Sequence, residues 1–175
     1  MVIKHLFSNY KPISIMPSLS KIYEKVVSQS LVSFLEAGNI LAENQYGFRQ
    51  GRSTYMVIIE MLEKISAAID NGEYPIGIFI DLSNAFDPIS HSNLLDKLEH
   101  YGIKWFESYL HSRQQYVFLG GASSATSHIN CGVPQGSILG PLLFILYIND
   151  IAKCSEILRL ILFAEFSLLM TQIFL

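Results

Sequence analysis

The chain has 175 residues, the size of one domain or of a piece of a larger one. A formal net charge of -3 excludes a strongly basic field along the whole chain, so binding to nucleic acid would require a local patch. Two cysteines are too few for a disulfide framework or a zinc site, and they indicate an intracellular, reducing compartment, either cytoplasm or nucleus. Half of the residues are hydrophobic, which favours a fragment whose apolar faces pack against further elements. We read no signal peptide at the start.

Helical periodicity predicts two helices in the first part of the chain. The first follows Ser18 and ends at Gly38-Asn39. The second follows the glycine-punctuated loop 43–54 and ends at the turn Asp70-Asn71-Gly72. Each helix carries an apolar stripe, and we expect that of the second helix to be its buried face. The stripes are Leu19, Ile22, Val26, Val27, Leu31, Phe34 and Leu35 in the first helix, and Val57, Ile58, Met61, Leu62, Ile65 and Ile69 in the second.

The rest of the chain alternates strands with helices, an order that predicts an α+β layered domain. Ile76–Ile80 is apolar on both faces, which is typical of a central strand. Further helices are predicted at Ser92–Tyr101, Trp105–Leu110 and Ile138–Asn149, and the last should be buried because it has almost no polar face. Further strands are predicted at Gln115–Leu119 and Thr126–Asn130, forming a hairpin around Gly120-Gly121, and at Leu158–Ala164.

Two segments carry residues suited to chemistry. Asp81 ends the predicted central strand, and many enzymes hold a divalent metal with a carboxylate at such a sheet edge. The alternative for Asp81 is a helix N-cap directly after a strand. Residues 132–141 read Gly-Val-Pro-Gln-Gly-Ser-Ile-Leu-Gly-Pro. They form either an ordinary tight turn before a helix or a loop whose glycine at position 136 lets the backbone approach a ligand.

Several blocks, in one order, resemble reverse transcriptases of non-long-terminal-repeat (LINE-type) retrotransposons. They are Asn9–Ser14, Leu19–Lys25, Gln45–Arg49 with Gly51–Thr54, Phe79–Asp87, and Gly132–Pro141 with Tyr147–Asp150. The resemblance runs from about Asn9 to Phe163. It implies the fingers and a partial palm of a right-hand polymerase, with residues 1–74 fingers-like, residues 75–175 palm-like and the thumb absent. We therefore expect a domain truncated at both ends.

This resemblance also implies an activity and its partners. The family extends a DNA primer on an RNA template, and two Mg²⁺ ions stabilise the attacking and leaving oxygens as a deoxynucleoside triphosphate is added. Asp81 matches the first metal ligand, and the carbonyl of Leu82 lies beside it in sequence. The resemblance implies no protein partner and no membrane.

Other residues match positions around the nucleotide and the template. Phe86 matches the ring that screens the sugar, although a phenylalanine is also a common core residue. Gln135 and Gly136 match the loop beneath the incoming nucleotide. Lys11 stands where the family usually has an arginine that contacts the triphosphate, and lysine keeps the charge but loses the bidentate fork. Two fingers residues match positions near the template but could equally be solvated charges: Arg49 and Arg52.

The chain departs from the family at the second metal-binding motif. Relatives carry an adjacent aspartate pair in the string Phe-Ala-Asp-Asp, whereas this chain reads Phe163-Ala164-Glu165-Phe166. Glu165 extends one methylene further than aspartate, and Phe166 offers no metal ligand. With Asp81 and Glu165 as the catalytic carboxylates, the second Mg²⁺ ion is poorly held, so we expect a severe loss of polymerase activity.

The last nine residues suggest why the aspartate pair is missing. Ser167–Leu175 can be encoded by TCT TTG CTG ATG ACA CAA ATA TTT TTA. Read two bases later, the same string encodes Phe-Ala-Asp-Asp-Thr-Asn-Ile-Phe, which contains the missing motif. We therefore interpret this segment as read out of frame, in a decayed element or an incorrect gene structure.

Two alternatives to the polymerase interpretation remain. The chain could be a nucleic-acid-binding remnant without catalysis, although its net negative charge opposes strong affinity. It could also associate with membranes through residues 157–175, which are largely apolar and close to the ~20 residues that a spanning helix needs. Three polar side chains within this segment oppose a membrane span: Arg159, Glu165 and Gln172.

Overall fold

The computed structural model of the chain describes residues 13–75 and 84–151. It divides into two compact units. Among described residues, the first unit comprises 13–34 and 84–144, and the second comprises 35–75 and 145–151. Helices and strands are both present, in the order α1 Ser18–Ala37, α2 Thr54–Asp70, α3 His91–His100, α4 Phe106–Leu110, β1 Gln114–Gln115, β2 Phe118–Leu119, β3 Ala122–Ser123, β4 Ser127–His128 and α5 Gly140–Ile148. The predicted strands Ile76–Ile80 and Leu158–Ala164 lie outside the described residues.

Both early helices end where the sequence predicts. After α1, Asn39 adopts a left-handed conformation with φ 46°, and the Ile40 amide donates to the Leu35 carbonyl at 3.0 Å. This closes the helix in the manner of a Schellman motif. After α2, Gly72 has φ +73°, and the Glu73 amide donates to the Ala68 carbonyl at 2.8 Å. The predicted ends at Gly38-Asn39 and at Asp70-Asn71-Gly72 are confirmed.

Few residues of the apolar stripes of α1 and α2 are buried, so the predicted buried face of α2 is wrong for the three of its six residues that are exposed. Leu31 and Leu35 of the predicted α1 stripe are buried, as is Val57 of the predicted α2 stripe. Seven large apolar side chains of the two stripes are exposed: Leu19, Ile22, Val26, Phe34, Ile58, Leu62 and Ile69. Periodicity identifies residues that share a face, but it does not show whether the described residues supply an element to cover that face.

The first unit buries the apolar side of α3 and α4. Ser90 caps α3, since its side chain accepts a hydrogen bond from the Asn93 amide at 3.4 Å. Leu94, Leu98 and Phe106 have no exposed surface. The predicted helices at Ser92–Tyr101 and Trp105–Leu110 are confirmed to within one residue at each end.

The hairpin is confirmed in place but not in extent. Gly120 and Gly121 have φ of +59° and +86°, so they form the two-residue turn, and Leu119 pairs with Ala122 directly across it. The returning strand therefore begins at Ala122, not at Thr126 as predicted. The Val117 amide bonds to the Ser124 hydroxyl at 2.9 Å, and this contact separates the β2–β3 pair from the β1–β4 pair.

Helix α5 is buried almost all round, as predicted from its lack of a polar face. Leu143 has no exposed surface, and neither do Ile145 and Leu146. In the second unit, Asn149 follows the helix and is itself 6% exposed. Its Oδ1 accepts from the Ala42 amide at 2.9 Å, and its Nδ2 donates to the Ile40 carbonyl at 2.8 Å. No helix within residues 13–75 and 84–151 is long and apolar enough to span a bilayer.

Candidate functional site

The structure describes five of the nine residues that the resemblance assigns to the site. Phe86, Gln135 and Gly136 lie in the first unit, and Arg49 and Arg52 lie in the second. The other four lie outside the described residues: Lys11, Asp81, Leu82 and Glu165.

Phe86 lies at the junction of the two strongest sequence motifs. Its side chain is 6% exposed, and its ring packs against Phe144 with centroids 5.4 Å apart and planes inclined by 56°. Its carbonyl accepts a hydrogen bond from the Val133 amide at 3.0 Å. The segment that follows Asp81 in sequence is therefore held directly against the loop that starts at Gly132.

Gly132 allows its own backbone to lie directly against the backbone of Asp87. Its φ is +86°, and a Cβ at this position would lie 3.0 Å from the Asp87 carbonyl oxygen. Its amide donates to the Ile89 carbonyl at 2.7 Å. Its carbonyl contacts the His91 Nε2 at 2.7 Å. Only glycine combines this backbone conformation with such a short distance to a neighbouring backbone.

The loop from Pro134 to Ser137 is held from both sides. The Ser14 amide donates to the Gln135 carbonyl at 2.9 Å, and a Cβ on Gly136, whose φ is +103°, would lie 3.3 Å from the Ser14 carbonyl oxygen. The Ser137 hydroxyl donates to the Pro134 carbonyl and accepts from the Gly140 amide, both at 2.9 Å. The Gln135 side chain is half-buried and Gly136 is exposed, so the loop presents an accessible backbone on a fixed frame.

Sequence reasoning missed a buried carboxylate behind this loop. Glu24 of α1 is 1% exposed. Its Oε1 accepts from the Tyr109 hydroxyl at 2.6 Å, and its Oε2 accepts from the Ile138 amide at 2.8 Å. Burial, and then the hydrogen bond to Glu24, raises the pKa of Tyr109 to about 12. The only sequence signal for Glu24 was its place in the block Leu19–Lys25, since an acidic residue on a helix is usually solvated.

The two arginines of the second unit are both engaged in local contacts. Arg49 binds Glu36 through two bonds, Nη2–Oε2 at 2.7 Å and Nε–Oε1 at 3.1 Å. Its Nη1 donates to the Ala42 carbonyl at 3.0 Å. Arg52 donates to the Glu43 carbonyl and lies over the Tyr46 ring, 4.9 Å from its centroid. These contacts order the loop between α1 and α2.

An open, mostly polar cavity of about 780 Å³ lies beside these arginines in the second unit. Its charged lining residues are Glu43, Arg49, Arg52, Glu60 and Lys64. Lys64 binds Glu60 at 2.5 Å, and Tyr46 also donates to Glu60. These two hydrogen bonds lower the pKa of Glu60, and the bond to Glu60 raises the pKa of Tyr46. The hydrogen bonds from Arg49 lower the pKa of Glu36 in the same way.

The described residues do not by themselves form a metal centre. No group of three or more histidine, cysteine, aspartate or glutamate side chains within 13–75 and 84–151 could hold a metal ion. The expected ligands Asp81 and Glu165 lie outside these ranges. Whether they come together with the loop stays a prediction.

The sequence motifs, carried on a fold of mixed helices and strands, point to the reverse transcriptase class. Residues 3–164 match the family described as reverse transcriptase (RNA-dependent DNA polymerase), and the chain belongs to that family. The family implies a right-hand polymerase fold. The recognition made from the sequence blocks is confirmed.

The relatives are proteins of insect non-LTR transposons. The chain is 38% identical over 152 residues to the probable RNA-directed DNA polymerase from transposon X-element of Drosophila melanogaster. It is 36% identical over 149 residues to the probable RNA-directed DNA polymerase from transposon BS, and 32% identical over 146 residues to the RNA-directed DNA polymerase from mobile element jockey, both from the same species. These matches cover 81–83% of this chain but only 16% of each relative.

Proposed function

We propose that this chain supplies the fingers and a partial palm of an RNA-directed DNA polymerase, and that its sequence as written does not catalyse nucleotide addition. The main support for the fingers and partial palm is the hydrogen bond from the Val133 amide to the Phe86 carbonyl. It joins the segment after Asp81 to the Gln135–Gly136 loop, so two motifs far apart in sequence meet. A nucleotide site requires the two motifs to lie side by side. One motif would hold the triphosphate through the metal, the other would contact the base and sugar, and all three belong to the same nucleotide.

Each residue of the proposed nucleotide site has a physical role. The exposed backbone at Gly136 lets the nucleotide approach closely, and the Gln135 amide group can donate and accept hydrogen bonds beside it. The buried ring of Phe86, fixed against Phe144, sets a wall close to the sugar. Lys11 and the Leu82 carbonyl complete the site by resemblance, with Lys11 neutralising triphosphate charge.

The donor set of this sequence does not fit two Mg²⁺ ions. Mg²⁺ prefers carboxylate oxygens, and a pair of ions is held by carboxylates that reach both of them. The residues available at the family positions are Asp81, Glu165 and Phe166. One aspartate, together with a glutamate where the family has aspartate, holds a single ion at most. We therefore derive no chemical step through a metal pair for the chain as written.

Arg49 and Arg52 are the proposed template contacts. Their guanidinium groups line the cavity of the second unit and already bind Glu36 and the Glu43 carbonyl. In this arrangement both arginines are ordered, and the charge of Arg49 is partly neutralised by Glu36. We propose that they contact template phosphates from this position, with a contribution that falls as salt rises.

The test is to restore the carboxylates. The double variant Glu165→Asp with Phe166→Asp recreates the family string Phe-Ala-Asp-Asp without any other change. Mn²⁺ binding, measured by electron paramagnetic resonance, should show at most one ion in the chain as written and two in the double variant. The matched control adds Asp81→Asn to the double variant and should lose the gain.

A primer-extension assay with an RNA template, a DNA primer and Mg²⁺ tests the same proposal by activity. The chain as written should give no template-dependent synthesis. Extension by the unaltered chain that disappears in Asp81→Asn would show that the inactivity half of the proposal is wrong. Two Mn²⁺ ions bound to the unaltered chain would contradict the metal argument directly.

A further inference from the structure

Glu24 is a charged side chain inside the first unit. Carboxylates are almost never fully buried unless they are paired, yet Glu24 is 1% exposed. It is satisfied by two donors, the Tyr109 hydroxyl at 2.6 Å and the Ile138 amide at 2.8 Å. One side chain therefore links α1 to α4 and to the end of the nucleotide loop.

Glu24 contacts the end of the nucleotide loop through the Ile138 amide. Ile138 lies between Ser137 and the start of α5 at Gly140, in the stretch where backbone amides lack helical partners. A carboxylate there satisfies one such donor and lies at the positive end of the α5 dipole. Since Ile138 is three residues after Gln135, any movement of its amide moves the loop.

Tyr109, one of the two donors to Glu24, is itself held by a neighbouring side chain. The Arg113 guanidinium lies over the Tyr109 ring, 4.7 Å from its centroid, and its Nη2 is 3.7 Å from the Met16 sulfur. Tyr109 is therefore held on its face by Arg113 while its hydroxyl reaches Glu24. The Tyr109 hydroxyl and the Ile138 amide each cost free energy if they lose Glu24, so together they favour one position of its carboxylate.

We propose that Glu24 is a positioning residue for nucleotide binding, holding the Ile138 amide so that Gln135 and Gly136 keep the conformation that receives the nucleotide. This inference rests on the proposed function of the loop. It goes beyond it because Glu24 does not touch the nucleotide and acts from behind the loop.

The first measurement is amide hydrogen exchange, which reports on the loop without any ligand. Glu24→Ala leaves the Ile138 amide without its acceptor, so exchange at residues 135–138 should speed up by about tenfold, the equivalent of one lost buried hydrogen bond. Glu24→Gln keeps an acceptor oxygen and should recover most of the protection. Glu63→Ala, at an exposed position of α2, is the matched control and should leave the loop unchanged.

The second measurement is affinity for the magnesium complex of thymidine triphosphate, followed by titration calorimetry. Glu24→Ala should weaken it about tenfold. Affinity for an RNA–DNA hybrid should not change, because the template residues belong to the second unit. A general loss of structure would weaken the binding of both ligands equally, so this difference separates positioning from a merely structural role.

If Glu24→Ala does not fold, Tyr109→Phe replaces it, because this change removes a single hydrogen bond to Glu24. The same two measurements, hydrogen exchange and nucleotide affinity, then test the proposal.

The possible failures are distinguishable. If the unaltered chain does not bind thymidine triphosphate, the proposed function of the loop is wrong and the inference falls with it. If the unaltered chain binds it and Glu24→Ala binds equally well, the inference alone is overturned and the loop keeps its proposed role.

Discussion

At the scale of single residues, close backbone approach is the feature on which the candidate site depends most. Gly132 brings its loop to the Asp87 backbone, and a methyl group there would meet the Asp87 carbonyl oxygen at 3.0 Å. Gly102 provides a comparison, since its φ of +83° nearly equals the +86° of Gly132 but a Cβ there meets nothing within 4 Å. The two positions thus share backbone conformation and differ in available space.

We predict that Gly132→Ala destabilises the chain more than Gly102→Ala. The left-handed conformation costs about 1–2 kcal/mol for a residue with a Cβ, and this is the whole effect at Gly102. At Gly132 overpacking adds to it, for a total of about 2–4 kcal/mol. Urea unfolding followed by circular dichroism measures both changes. Equal losses in the free energy of unfolding for the two variants would contradict the close contact between the Gly132 and Asp87 backbones.

We also predict a loss of stability at alkaline pH that depends on Tyr109. Its pKa rises from 10.0 to about 12 because of burial and the hydrogen bond to Glu24, so the folded state holds the proton more tightly than the unfolded state. This contribution is complete below pH 10 and is lost as pH rises from 10 to about 12. Tyr109→Phe should flatten the decline in unfolding midpoint over that range, whereas Tyr55→Phe, at an exposed position, should keep it. An unchanged decline in Tyr109→Phe would contradict the assignment.

At the scale of elements, sequence predicted boundaries better than surroundings. Local chemistry sets the ends of α1 and α2, through Asn39 and Gly72, and each end was predicted. Burial depends on what packs against a helix, which is why Ile22 and Leu62 of the predicted stripes are exposed. In the same way, Gly120-Gly121 predicted the turn of the hairpin, but the break at Ser124 depends on a side-chain contact that no pattern encodes.

In the candidate site too, sequence motifs indicated some residues, whereas others became apparent only from tertiary contacts. Phe86, Gln135 and Gly136 were assigned to the candidate site through motifs that resemble those of the family, and their roles stay predictions. Glu24 and Asn149 were not found, since an acidic or amide residue near a helix is usually solvated and only tertiary structure shows it to be buried.

Asn149 gives a prediction about how α5 ends. Its side chain satisfies the Ala42 amide and the Ile40 carbonyl within the second unit, so Asn149→Ala leaves two backbone groups without these partners. We expect a cost of about 2–6 kcal/mol in the free energy of unfolding, from roughly 1–3 kcal/mol for each group. Asn93→Ala, at an exposed position of α3, is the matched control and should change stability by less than about 0.5 kcal/mol. Thermal unfolding of the three proteins decides, and similar midpoints would argue against a structural role for Asn149.

At the scale of the whole molecule, family membership and the proposed loss of activity rest on different residues. The family match covers residues 3–164 and stops one residue before Glu165, where the sequence ceases to follow the family string. The chain also spans only 16% of the length of the relatives it matches. Membership therefore follows from most of the chain, whereas the proposed loss of nucleotide addition rests on two positions just beyond the match, Glu165 and Phe166.

The position of that break leads to a prediction about the gene. If residues 167–175 are read out of frame, the nucleotides encoding them must contain codons for an adjacent aspartate pair two bases downstream of the present frame. The last base of the Met170 codon, ATG, and the first two bases of the Thr171 codon, ACN, already spell GAC, so the codon for the second aspartate is fixed in the shifted frame. Sequencing genomic DNA and transcript across this segment measures it. A nucleotide sequence with no aspartate pair in either alternative frame would mean that Phe166 is an inherited substitution and that the polymerase site was lost by point mutation.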